Sequence, residues 1–100
     1  MDKALNYMAL ARKAGRIELG EEPVGAAARA QHARLVIVAS DASDNTKKKF
    51  RNSCEFYSVS LIEYSHKAEL GRYTGREFAV VLAVTNQGIA DELQKCLGDN

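Results

Sequence analysis

An α/β fold is what this sequence predicts: a three-layer α/β/α sandwich built on a small mixed sheet of about four strands. Three observations point there. Two short, wholly apolar runs, Leu35 to Ala39 and Phe78 to Val84, have the composition of strands buried on both faces. Segments with helical apolar spacing alternate with strand-like ones. Turn and capping residues punctuate the segments, with no repeat, low-complexity stretch or long linker between them. At 100 residues the chain is the size of one domain, and 46% hydrophobic with 27% charged residues is the balance of a chain that folds by itself.

The elements follow in order. From Asp2 to Ala14, residues Ala4, Leu5, Met8, Ala9 and Ala11 recur at helical spacing, Arg12 and Lys13 fall in the last turn, and Gly15 sits just past the end. Ile17 to Leu19 is a short edge strand. Gly20 breaks it, and Pro23 opens a second, alanine-rich helix running to about Ala30, weakened by about 1 kcal/mol at Gly25. Leu35 to Ala39 is the first central strand. Asp41 to Asp44 is turn chemistry, and Ser43 caps a third helix from Asp44 to about Phe56, with Phe50 and Cys54 one turn apart on its buried side. Val59 to Glu63 forms another strand, Ser65 caps a fourth helix through Leu70, and Gly71 to Arg76 reads as a loop. Phe78 to Val84 is the second central strand. Asn86 caps a last helix in which Ile89, Ala90, Leu93 and Leu97 share a face, closed by Gly98.

Composition excludes several function classes. The longest apolar run is far short of the roughly 20 residues that cross a bilayer, and the first fifteen residues carry an acid and bases throughout, so neither a membrane span nor a secretory leader is expected. Cys54 and Cys96 have no CxxC or Cys/His ligand spacing, which argues against zinc and against a disulfide framework, and for a reducing compartment. His32 and His66 stand at helix boundaries, neither with a nearby Cys or Ser and an obvious orienting carboxylate, and no Gly-rich phosphate loop follows a strand, so an enzyme is not expected. Asp41 and Asp44 lie where open α/β sheets hold ligands, yet turn and capping duties account for them equally well.

With a net charge of only +1, a nucleic-acid partner has to be argued from the distribution of charge. Bases gather at Arg12, Lys13 and Arg16, at Lys47, Lys48, Lys49 and Arg51, and at Arg72 and Arg76. The lysine run is either a solvated helix face or a phosphate contact beside the loop Ser40 to Ser43. Glu21 and Glu22, before Pro23, either stabilise a helix dipole or accept hydrogen bonds from an exposed base edge.

Taken together, Leu10, Ala11, Lys13, Ala14 and Gly15, Gly20 to Glu22, Leu35 to Ala39 with Asp41, Asn45 to Lys49, Glu69 to Gly71 and Gly75 resemble the kink-turn RNA-binding family of large-subunit ribosomal proteins, in particular its small bacterial YlxQ-like branch. The resemblance spans nearly the whole chain and implies the same sandwich. It also implies three RNA-holding elements, which here are Gly20 to Val24, Ser40 to Ser43 and Tyr73 to Ala79. The family's readout segment has Gly, a variable residue, Asn and Glu, then a Lys three residues on; this chain has Gly20, Glu21, Glu22, Pro23 and then Ala26. Because Glu22 only accepts hydrogen bonds where an Asn also donates, an altered RNA specificity is implied.

The expectation is therefore a single non-catalytic, cytoplasmic RNA-binding domain, without metal or cofactor and with no small-molecule substrate. Its partners are structured RNA of the ribosome or another ribonucleoprotein, and ribosomal proteins. The residues expected at the RNA are Gly20, Glu21, Glu22, Ser40, Asp41, Lys47, Arg72, Arg76, Glu77 and Phe78, the last against a splayed nucleotide. The alternative is a protein-interaction module that kept the fold and lost RNA readout.

Overall fold

The computed structural model describes residues 2–98. Their element order is α1 (Lys3–Lys13), β1 (Ile17–Leu19), α2 (Glu21–Arg29), β2 (Leu35–Val38), α3 (Asp44–Tyr57), β3 (Leu61–Glu63), α4 (Lys67–Thr74), β4 (Val81–Val84) and α5 (Gln87–Leu97). The expected sandwich is present. One mixed sheet has the order β1-β4-β2-β3, with β4 antiparallel to both β1 and β2, and β3 parallel to β2. The two apolar runs occupy its centre, and all eight residues of β2 and β4 are buried.

Each face of the sheet carries its own core. On one, Leu35, Ile37, Leu82 and Val84 pack with Leu5 and Met8 of α1, Leu70 of α4 and Leu93 of α5. On the other, Val36, Val38, Val81 and Ala83 pack with Val24 of α2 and with Phe50 and Cys54 of α3. Fully burying an aliphatic side chain contributes about 1.5–3 kcal/mol, so these two layers dominate the folding energy.

Five boundaries differ from the expectation. Helix α2 starts at Glu21, not Pro23: Gly20 accepts from Val24 N at 3.1 Å, and Pro23 in the first turn lacks an N–H that would have no partner there anyway. Helix α4 is capped by His66, whose Nδ1 accepts from Glu69 N at 3.3 Å, whereas Ser65 takes a left-handed φ of 62° and donates its hydroxyl to Glu69. That helix runs through Gly71 to Thr74, so the first four residues of the expected loop from Gly71 to Arg76 are helical. The second central strand is confined to Val81–Val84, because Ala79 N turns away from the sheet to bond Lys67 O at 2.9 Å. Likewise β3 begins at Leu61, since Val59 N bonds Cys54 O and belongs to the end of α3.

Helix α1 is tied to the end of β3 through Asp2. Its carboxylate caps Leu5 N at 3.0 Å and accepts the Tyr64 hydroxyl. Burial opposes the charge on Asp2, but Tyr64 and the amides of Leu5 and Ala4 outweigh it and hold the carboxyl below its ordinary value. The same bond, then burial, pushes Tyr64 up to about 12. Burial alone pushes Cys54 up to about 11.

Stability should therefore respond to both extremes of pH. Cys54 and Tyr64 have folded values above their ordinary 9.0 and 10.0, so their contribution is complete below pH 9 and is lost as pH rises toward 11 and 12. Asp2 acts oppositely: its contribution is present above 3.8 and is lost as pH falls below it. Urea midpoints measured against pH should be level between these limits, and Tyr64→Phe should remove the upper part of the alkaline decline.

Candidate nucleic-acid interface

The register of the sheet decides which loops meet. Leu19 pairs with Leu82, and Val38 with Val81 and Glu63, so the C-terminal ends of β1, β2 and β3 and the N-terminal end of β4 lie along one edge. Helices α2, α3 and α4 follow those three strands and begin at that edge. Their first turns, those of α3 and α4 capped by side chains, and the positive ends of three helix dipoles are gathered on one side of the molecule. The three expected elements are there together: Gly20 to Val24, Ser40 to Ser43, and the segment leading into β4.

Gly20 caps α2 at a φ of 96°, a conformation costly for any residue with a Cβ, and its N–H bonds Val81 O at 3.1 Å. Glu21 then turns toward α3, accepting from Thr46 Oγ1 at 3.3 Å and pairing with Lys49 at 3.2 Å. Glu22 is exposed and, among the described residues, has no ion-pair partner. Of the two carboxylates, it is the one available to a ligand.

The second element is anchored rather than free. Ser40 N donates to Ser65 O at 2.7 Å, and Asp41 Oδ1 accepts from Lys67 N at 2.8 Å, so Asp41 caps α4 from across the sheet edge. Ser43 caps α3 through Thr46 N at 3.1 Å. Lys47 is turned away from the loops to Glu63, at 2.9 Å, with its side chain only 19% exposed. Lys48, exposed and without an ion pair among the described residues, is the lysine of that run left to attract phosphate.

The third element folds back along α4. Arg76 N bonds Gly71 O at 2.9 Å, and a Cβ on Gly71 would stand 2.7 and 2.8 Å from the carbonyl oxygens of Arg76 and Glu77. Only glycine lets the segment lie this close to the helix. Arg12 Nε donates to Thr74 O at 2.9 Å and fixes the far end of α4. Arg72 is exposed on α4 itself, and Arg76, Glu77 and Phe78 are exposed on the returning strand of chain. Phe78 is 54% exposed, outside the core, with Lys67 Nζ 5.7 Å from its ring centre. An exposed aromatic face beside a cation suits a stacked base with its phosphate.

Lys67 was not among the expected residues. Nothing local marks it, because its position depends on Asp41 and Phe78, both distant in sequence. Among the described residues no group of three His, Cys, Asp or Glu side chains could hold a metal ion, and no helix is long and apolar enough to cross a membrane.

The sequence pattern of the ribosomal protein L7Ae/L30e/S12e/Gadd45 family matches residues 2–94. The RNA-binding protein YlxQ of Bacillus subtilis strain 168 is 41% identical over 86 residues, covering 86% of each chain. The RNA-binding protein YlxQ of Enterococcus faecium is 35% identical over 95 residues, 95% of this chain and 91% of that one. Among solved structures, a Bacillus halodurans protein with unknown function superposes with a TM-score of 0.95 at 31% identity, covering 99% of this chain and all of that one (100%). The Giardia lamblia 15.5kD RNA binding protein superposes with a TM-score of 0.79 over 92% of this chain and 82% of its own; at 23% identity this is a likeness of fold.

The approach at Gly71 gives a direct test. Gly71→Ala should lower stability by about 1–3 kcal/mol, through the overpacking it forces against two carbonyls. Gly25→Ala, whose Cβ meets only Arg29 Nη1 at 3.5 Å, should instead raise it by about 0.5–1 kcal/mol. Denaturant midpoints of the two variants read the difference.

Proposed function

The chain belongs to the ribosomal protein L7Ae/L30e/S12e/Gadd45 family, and from that premise we propose that residues 1–100 act as a single, non-catalytic RNA-binding domain in the cytoplasm. Its ligand is structured, kink-turn-like RNA of the ribosome or an associated ribonucleoprotein. Two relatives named as RNA-binding proteins support this reading at the level of the partner. The observation that carries it is the gathering of three helix N-termini and three loops on one edge, with Glu22, Lys48, Lys67, Arg76 and Phe78 exposed there.

The roles divide by chemistry. Lys48, Lys67 and Arg76 supply positive charge for phosphates, which positions the RNA without reading it. Glu22 accepts hydrogen bonds from the amino or imino edge of an unpaired base, and Phe78 offers a face for stacking. Glu21 and Asp41 act one step back. Glu21 holds α2 to α3 and Asp41 holds the second loop to α4, so the surfaces meet in one arrangement.

The test is a titration against a kink-turn RNA, the same helix without the kink, and total ribosomal RNA, each at two salt concentrations. Kink-dependent binding that weakens with salt is expected. Lys67→Ala and Arg76→Ala should each weaken all RNAs alike and flatten the log–log salt dependence by about 0.7–0.9. Glu22→Ala should change the preference among RNAs, and Lys47→Ala should have little effect because Glu63 already engages that ammonium. No binding to any RNA at low salt would contradict the reading and favour a protein-interaction module.

A further inference from the structure

A groove of about 520 Å³ lies between α2 and the outer edge of the sheet. Pro23 and Ala26 line one wall and Glu18 of β1 the other. It starts beside the loop edge, since Pro23 is in the first turn of α2, and runs along the helix to the opposite end of the sheet. There Arg34 N bonds Val84 O at 2.8 Å and Thr85 N bonds Arg16 O at 2.9 Å, so Arg16 and Arg34 flank Thr85 on neighbouring strand ends. Adjacent strands are about 4.8 Å apart, which places the two backbones roughly 10 Å from one another. Both arginines are exposed, and among the described residues neither makes an ion pair, with Glu18 or with any other acid.

We propose that this groove is a second RNA contact, in which Arg16 and Arg34 hold backbone phosphates of the helix that flanks the bound kink. The inference rests on the RNA-binding reading above. The occupant follows from continuity and charge. Helix α2 has nine residues, and at 1.5 Å per residue the groove beside it extends about 13 Å from the loop edge. A duplex carries roughly one negative charge per 1.7 Å of axis, so that length faces several phosphates. The small side chain of Ala26 leaves room for a backbone against the helix. Glu18 repels phosphate midway, which directs the contact to the end where Arg16 and Arg34 stand.

The experiment compares the wild-type chain with the double variant Arg16→Ala, Arg34→Ala on two probes, a kink-turn RNA with long flanking helices and the same RNA trimmed to the kink. Wild type should bind the long RNA about tenfold more tightly, and the double variant should bind both alike at the wild-type affinity for the trimmed one. On the long RNA its salt slope should fall by about 1.5, the equivalent of two phosphate contacts. A double variant that keeps the preference for the long RNA overturns the proposal, as does one that loses both RNAs equally or a wild type that does not distinguish them. A wild type that binds neither RNA instead overturns the RNA-binding reading itself. Both arginines are exposed, so a matching thermal midpoint establishes that the variant is folded.

Discussion

Everything in this molecule is placed by the pairing of β2 with β4. These two strands are buried on both faces and joined antiparallel, with Leu35 against Val84 and Val38 against Val81. Their apolar side chains exclude water above and below, so each backbone amide has to find its partner in the neighbouring strand. That requirement pairs the strands, the side chains each face must bury set the register, and the register fixes which end each loop leaves from. Shifting it by one residue would exchange the two cores, sending Val36 and Val38 to the side that holds Leu35 and Ile37.

The candidate interface inherits its geometry from this constraint, and polar contacts between distant segments refine it. Asp41 caps α4, Lys49 and Thr46 hold Glu21, and Arg12 fixes the carbonyl end of α4. A cap of this kind contributes about 1 kcal/mol and an exposed ion pair less. Their value lies in direction. They leave Glu22, Lys67, Arg76 and Phe78 outward on a common edge while the residues beside them are held inward. Gly71 does the same by omission, letting the returning chain lie on the helix where any side chain would prop it away.

Much of this was legible in the sequence because the signals were local. Apolar runs gave the central strands, Asn86 and Ser43 gave two caps, and short Ile17–Leu19 gave an edge. What escaped was set by contacts that the local pattern does not show. Gly71 reads as a loop residue, and only the carbonyls of Arg76 and Glu77 show why a glycine is needed at this point of a helix. Phe78 reads as a strand residue, and only the bond from Ala79 to Lys67 shows why it is exposed. Lys47 stands in the most basic run of the chain, yet Glu63 at the end of β3 takes its charge. Charge patterning finds candidate cations, while the tertiary structure decides which of them are free.

We propose the edge shared by the starts of α2, α3 and α4 as the RNA-binding surface. Amide chemical shifts recorded while a kink-turn RNA is added test it most directly. The largest changes should fall together on Gly20 to Glu22 with Val24, on Ser40 to Ser43 and on Gly75 to Ala79. Changes concentrated on α5, or no changes in any of the three loops under conditions where the RNA binds, would contradict it.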